Sequence, residues 1–146
     1  GEVNVVELMK KTQAIIGGEG NGGIIYPESH YGRDALVGVA LFLSLLAEKK
    51  GLVSDLRASY PNYFMSKQKI DLTPNIEADQ ALEIMANTYR SEKISTIDGV
   101  KIDFENQWVH LRKSNTEPII RVYTEATSQS AATELANRFR NEILSL

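Results

Sequence analysis

Apolar positions are spaced in three different ways along the chain, and each spacing predicts different elements. The densest run is "ALVGVALFLSLLA", residues 35–47. It is apolar nearly all round, which predicts a helix from Ala35 to about Lys49, buried on most of its sides. Asp34 stands where an N-cap is expected, Lys49 and Lys50 where cations suit a helix C-terminus, and Gly51 just past the end. Upstream, Leu8, Met9 and Thr12 give one face to a short helix over residues 5–13. "AIIGG" reads as a buried strand running into a glycine-rich turn. "IIYP" reads as a second short strand stopped by Pro27, and "ESHYGRD" as a polar loop. Ser54 is placed to cap a helix of one to two turns that ends before Pro61.

After Pro61 the pattern changes. A strand runs from Phe64 to Leu72 and is broken by "TPN". Ala78, Ala81, Leu82, Met85, Ala86 and Tyr89 then recur at helical spacing. Asp98-Gly99 inside "KISTIDGVKIDF" is a hairpin signal, and a tight turn at Glu105 and Asn106 leads into the strand "WVHLR". The polar loop "KSNTEP" precedes the strand "IIRVYTEA". Ala132, Leu135, Ala136, Phe139 and Ile143 mark a closing amphipathic helix, with Ser128 or Ser130 as its cap. The order β-α-β-β-β-β-α predicts an α+β fold: an antiparallel sheet with two helices on one face. The chain therefore divides into residues 1–60 and 61–146.

Composition narrows the function classes. The chain has 146 residues, 42% hydrophobic and 24% charged, which suits one globular domain or two small pieces. It has no cysteine, which excludes a disulfide framework and a thiolate metal site. The net charge of -3 supplies no global basic field for nucleic acid or a membrane surface. The apolar run at 35–47 is too short for a membrane span of about 20 residues. The chain opens at "GEVNVVELMKK", without methionine and without a basic leader. It is expected to be a piece of a longer protein, or one lacking its natural start.

Gly18, Gly20 and Gly23 fall as G-x-G-x-x-G. A dinucleotide-binding turn also needs a helix that begins inside the motif, so that its first amides meet the pyrophosphate. Here the strand-like "IIYP" follows instead, so the glycines answer to something else. One reading is a loop whose backbone approaches a ligand closely, with Glu19 accepting hydrogen bonds from a pair of sugar hydroxyls. The other is a plain hairpin turn that needs glycine only for its geometry.

The segment "RKSNTEPIIR", residues 112–121, gathers two arginines, a lysine, a serine, an asparagine and a threonine between two predicted strands. Guanidinium forks, hydroxyl donors and loop amides together make the inventory of a phosphate cradle. On composition alone a polar hairpin loop with ordinary surface charges fits equally well. His110 reads as an edge or partly buried polar residue sharing a face with Trp108 and Arg112, and Trp108 as core or interface packing. His30 lies near the glycine loop in sequence, and Arg33 precedes the apolar helix.

"GGEGNGGIIYP" followed by "RDA" and an apolar helix, and then "RKSNTEPIIRVYTEA", resembles the C-terminal part of the α-D-phosphohexomutases. The resemblance covers essentially the whole chain, in the right order. It implies that residues 1–60 are the end of an α/β third domain and residues 61–146 a fourth, phosphate-binding domain. It implies that Glu19 and Asn21 bind the sugar and that Arg112, Ser114, Asn115, Thr116 and Arg121 bind phosphate. Many members carry Ser-Gly-His shortly after the glutamate; this chain has Asn21, Gly22 and Gly23, so the imidazole is missing.

Such enzymes interconvert hexose 1-phosphates and 6-phosphates through a phosphoserine and a bisphosphorylated sugar, with Mg²⁺. The phosphoserine loop and the aspartate-rich metal loop have no counterpart in this sequence. The chain alone is therefore expected to hold no catalytic residue and no metal, and to be inactive. Its expected partners are a hexose phosphate and the rest of a cytoplasmic mutase polypeptide, with no nucleic acid or membrane. Two other readings remain: a non-catalytic phosphosugar- or anion-binding module, and a nucleic-acid binder, which lacks a basic stripe and clustered aromatics.

Overall fold

A computed structural model of the protein describes residues 2–73, 76–114 and 116–146. The chain forms two compact units, Gly1–Pro61 and Asn62–Leu146.

In the first unit α1 (Glu2–Thr12) ends where Gln13 takes a left-handed φ of 54° and the Ala14 amide donates back to the Met9 carbonyl. A three-stranded antiparallel sheet follows in the order β1 (Gly17–Gly18), β2 (Ile24–Tyr26), β3 (His30–Arg33). Ile25 of the middle strand is fully buried. Two expectations need correction. "ESHYGRD" is not all loop, because residues 30–33 pair with β2 as an edge strand. "AIIGG" is not a buried strand: only its two glycines enter the ladder, and Ile15 and Ile16 are exposed.

Helix α2 (Ala35–Lys49) is capped by Asp34, whose carboxylate accepts from the Val37 amide at 3.0 Å. Its C-terminal left-handed residue is Lys50, with φ of 52°, rather than Gly51. No residue of α2 is buried, and Leu36, Val39, Phe42 and Leu43 are exposed. The expectation of burial on most sides therefore fails here. One side rests against β2, where Gly38 meets Ile24, and the described residues of this unit supply no second layer. In α3 (Val53–Ala58) the first amide cap comes from Asp55, which accepts from the Leu52 amide, rather than from Ser54. Among the described residues no helix is long and apolar enough to cross a membrane.

The second unit is the expected α+β fold. Its elements are β4 (Phe64–Asp71), α4 (Ala78–Thr88), β5 (Lys93–Ser95), β6 (Val100–Asp103), β7 (Trp108–Lys113), β8 (Ile119–Ala126) and α5 (Gln129–Leu144). The strands form one antiparallel sheet in the order β4-β8-β7-β6-β5. Strict alternation turns Ile70, Ile102, Val109, Leu111, Ile120 and Val122 toward Leu82 and Met85 of α4 and Leu135, Ala136, Phe139 and Ile143 of α5. Thr124 is a buried polar residue on the same face, and its hydroxyl donates to the Ala132 carbonyl at 2.6 Å. Ser128, not Ser130, caps α5.

Alternation also fixes the other face. Val109 and Leu111 take the inward positions, so Trp108, His110 and Arg112 turn outward. Trp108 is thus not core. It donates from Nε1 to Glu125 at 2.9 Å, under the Lys101 ammonium, on the face opposite the helices.

Candidate functional site

The glycine-rich segment is the turn that joins β1 to β2. Its backbone closes on itself: the Glu19 amide donates to the Gly23 carbonyl at 3.1 Å and the Gly22 amide to the Glu19 carbonyl at 3.0 Å. Asn21 accepts from the Gly23 amide at 2.9 Å and donates from Nδ2 to Glu19 Oε2 at 3.2 Å. The loop therefore holds its one carboxylate by its own amide side chain. The first helix after the glycines is α2, beyond β2 and β3, so no helix begins inside the motif.

A cleft of about 630 Å³ opens beside the loop, lined by Glu2, Asn21, Gly23, Arg33, Asp34 and Ala35 among others. Glu19 does not line it directly and is joined to it through Asn21. Glu2 Oε2 lies 2.7 Å from Arg33 Nε, and Glu2 Oε1 accepts from the Arg33 amide at 3.3 Å. The Val37 amide holds the Asp34 carboxyl below the ordinary carboxylate range, against an opposing desolvation, and His30 acts in the same direction. His30 is fully engaged here: Nδ1 accepts from the Gly32 amide and Nε2 faces Asp34 at 3.2 Å. It does not line the cleft.

The second cluster belongs to the other unit, at the β7–β8 hairpin. Arg112 and Arg121 are direct cross-strand partners, and Lys69 lies opposite Arg121 on its other side. Three cations abreast repel one another unless anions intervene. Asp71 takes Lys69 at 3.2 Å, and Asp98 takes Arg112 at 3.0 Å. No described side chain forms an ion pair with Arg121, which is exposed. Lys113 faces the other way, to Asp79 of α4 at 2.5 Å, and so leaves the inventory of the loop. Ser114 is buried, its amide donates to the Ile119 carbonyl at 3.0 Å, and its hydroxyl accepts from the Thr116 amide at 3.4 Å. Asn115 lies outside the described residues.

One support was not anticipated. His110 approaches the Asp98 carbonyl at 2.5 Å, while the Asp98 carboxylate holds Arg112. The Asp98-Gly99 turn, legible in the sequence as a hairpin signal, thus braces the base of the arginine loop.

Family profiles match both units. The one described as phosphoglucomutase/phosphomannomutase, C-terminal domain, matches residues 65–142. The one described as phosphoglucomutase/phosphomannomutase, alpha/beta/alpha domain III, matches residues 1–63. The chain belongs to the phosphoglucomutase/phosphomannomutase family. A phosphoglucosamine/phosphogalactosamine mutase of Sulfurisphaera tokodaii is 35% identical over 96% of this chain and 31% of that protein. A phosphoglucomutase/phosphomannomutase of Thermococcus kodakarensis is 35% identical over 92% of this chain and 29% of that protein. A crystal structure of a phosphoglucomutase/phosphomannomutase family protein from Burkholderia thailandensis superposes with a TM-score of 0.74 at 26% identity, covering 99% of this chain and 31% of that one. The chain thus spans under a third of the length of these relatives.

As a phosphoglucomutase/phosphomannomutase family member, the chain raises the question of Mg²⁺. Among the described residues no three His, Cys, Asp or Glu side chains gather as a metal site. Asp71, Asp79, Asp98 and Asp103 are each occupied by a lysine or arginine. These residues do not fit a metal.

Proposed function

We propose that this chain is the substrate-recognition part of a phosphohexomutase that interconverts hexose 1-phosphates and 6-phosphates. Residues 1–60 are the end of its third domain and residues 61–146 its fourth. The observation that carries this reading is the pair Arg112 and Arg121, abreast on neighbouring strands beside the Ser114–Thr116 turn. Two guanidinium groups at one end of a sheet suit one phosphate, by charge and by their forked donors. Ser114, Asn115 and Thr116 complete that cradle, and Glu19 and Asn21 bind the hexose hydroxyls.

In this reading the chain contributes positioning and charge neutralisation, which carry most of the catalysis of phosphoryl transfer. The cradle grips the phosphate that is not reacting, in either orientation of the sugar. The phosphoserine that gives and recovers the phosphoryl group, and the Mg²⁺ beside it, belong to the remainder of a cytoplasmic enzyme. The chain alone is inactive and binds neither nucleic acid nor membrane.

The test is an NMR titration of the chain with inorganic phosphate, followed at backbone amides. Shifts confined to residues 112–121 are expected, and Arg112→Met should weaken phosphate binding by about tenfold or more, since hydrogen bonds to charged groups are the strong ones. No shift in that loop at millimolar phosphate would overturn the assignment of the cradle.

A further inference from the structure

The cleft beside the glycine loop contains a cation that none of the sugar-binding assignments uses. Arg33 ends β3, in register with Ile25, and its side chain is 54% exposed. Its stem lies across Gly23. A Cβ at position 23 would stand 2.8 Å from Arg33 Cδ, closer than real contacts allow, and 3.2 Å from both Arg33 Cγ and Asn21 Oδ1, which is tight. Position 23 and the stem of residue 33 therefore compete for one space. Glycine at 23 leaves room for the stem, and a side chain there would push the arginine aside.

Glu2 then fixes the group. Its two carboxylate oxygens take Nε and the backbone amide of the same residue. Nε is occupied, while no described side chain bonds the two terminal nitrogens. A guanidinium held at Nε presents its Nη edge as a planar pair of donors. Glu2 and Asp34 set two carboxylates against this one cation among the lining residues. The lining side chains thus carry no surplus positive charge, although the first residues of α1 and α2 also border the cleft. They suit neutral hydroxyls, which accept from the guanidinium and donate to the carboxylates.

We propose that Arg33 is a substrate-binding residue that donates from its terminal nitrogens to hydroxyl oxygens of the sugar ring, oriented by Glu2 and admitted by Gly23. The inference rests on the sugar-binding reading of the Glu19–Gly23 loop, and it adds the residue that this reading lacks.

The experiment compares affinities of the chain for glucose 1-phosphate and inorganic phosphate by NMR, in the wild type and in Arg33→Met, Arg33→Lys, Gly23→Ala and Glu19→Gln. The wild type should prefer the sugar phosphate. Arg33→Met and Gly23→Ala should each cut that preference by about tenfold, with phosphate affinity unchanged. Arg33→Lys should not restore it, because an ammonium lacks the planar fork. Unchanged amide spectra outside the cleft and an unchanged melting temperature separate lost recognition from lost folding.

If Glu19→Gln lowers the preference while Arg33→Met leaves it intact, the role of Arg33 is wrong and the loop reading stands. If Arg33→Lys matches the wild type, the donor fork is not what recognises the ligand, and the proposal fails. A wild type with no preference for the sugar phosphate overturns the loop reading, and this inference with it.

Discussion

Replacing Phe139 by alanine is expected to destabilise the second unit by about 3–5 kcal/mol, the cost of deleting a buried aromatic side chain. Phe139 is fully buried on α5 and packs against Tyr89 at 4.9 Å and Phe104 at 6.4 Å between ring centroids. Such ring pairs add about 0.5–1.5 kcal/mol beyond the area they bury. Alanine is the better helix former, but that gain is below about 0.7 kcal/mol and does not decide the outcome.

What decides it is whether the hole can close. Tyr89, the nearest ring, is tied at its hydroxyl: it donates to Glu142 at 2.8 Å and accepts from Arg138 Nη2 at 2.7 Å. Sinking into the hole would break both bonds, so collapse is resisted and the upper part of the range is expected. Against a total stability of about 5–15 kcal/mol this is a large fraction. Urea unfolding of wild type and Phe139→Ala, compared at constant slope, measures it. A loss under about 1 kcal/mol would show that the ring cluster repacks freely.

Gly99→Ala is expected to cost about 2–4 kcal/mol, from two causes that add. Gly99 has a φ of +76°, where a side chain is strained. A Cβ there would also fall 2.2 Å from the Leu111 carbonyl oxygen and 3.1 Å from Arg112 Cα. Both obstacles are backbone of a central strand, so neither can swing aside. The opposing benefit, a less flexible unfolded chain, is about 0.4–1 kcal/mol and is outweighed.

The damage should also travel. Moving the turn off β7 pulls Asp98 away from Arg112 and from His110, so the amide resonances of residues 110–114 should shift even where folding survives. A melting curve of Gly99→Ala matching the wild type would mean that the hairpin yields at no cost, and that it does not brace the loop.

Much of this fold was legible because its signals are local. The helical repeat of Ala81, Leu82 and Met85, the alternation in "WVHLR" and "IIRVYTEA", and the Asp98-Gly99 turn each lie within a dozen residues. The misreadings share a different cause. Residues 30–33 form a strand only because β2 offers its edge, and nothing in "HYGR" itself is strand-like. Ile15 and Ile16 read as buried from hydrophobicity alone, yet both fall just before the ladder begins. For Trp108 only the core half of the reading is overturned, because its neighbours Val109 and Leu111 claim the inward positions.

The candidate sites divide in the same way. The segment proposed as the phosphate cradle is contiguous, so its inventory can be counted along the chain. The removal of Lys113 from that inventory cannot, since it depends on Asp79, far away in sequence. The pairing of Glu2 with Arg33 likewise joins residues 31 apart, and no local pattern announces it.

The pairing of β4 sets an order in time. Strands β5 to β8 follow one another along the chain, and each needs only a short hairpin to find its neighbour. Strand β4 instead meets β8 from the far end of the sequence, Phe64 against Ala126 and Asp71 against Ile119. Closing that long loop carries the largest entropy cost of any pairing in the sheet, so it is the contact a folding chain reaches last. As an edge strand, β4 is also the simplest to peel away. It begins three residues after Pro61, so a pull arriving along the chain from the first unit reaches this ladder before any other part of the sheet.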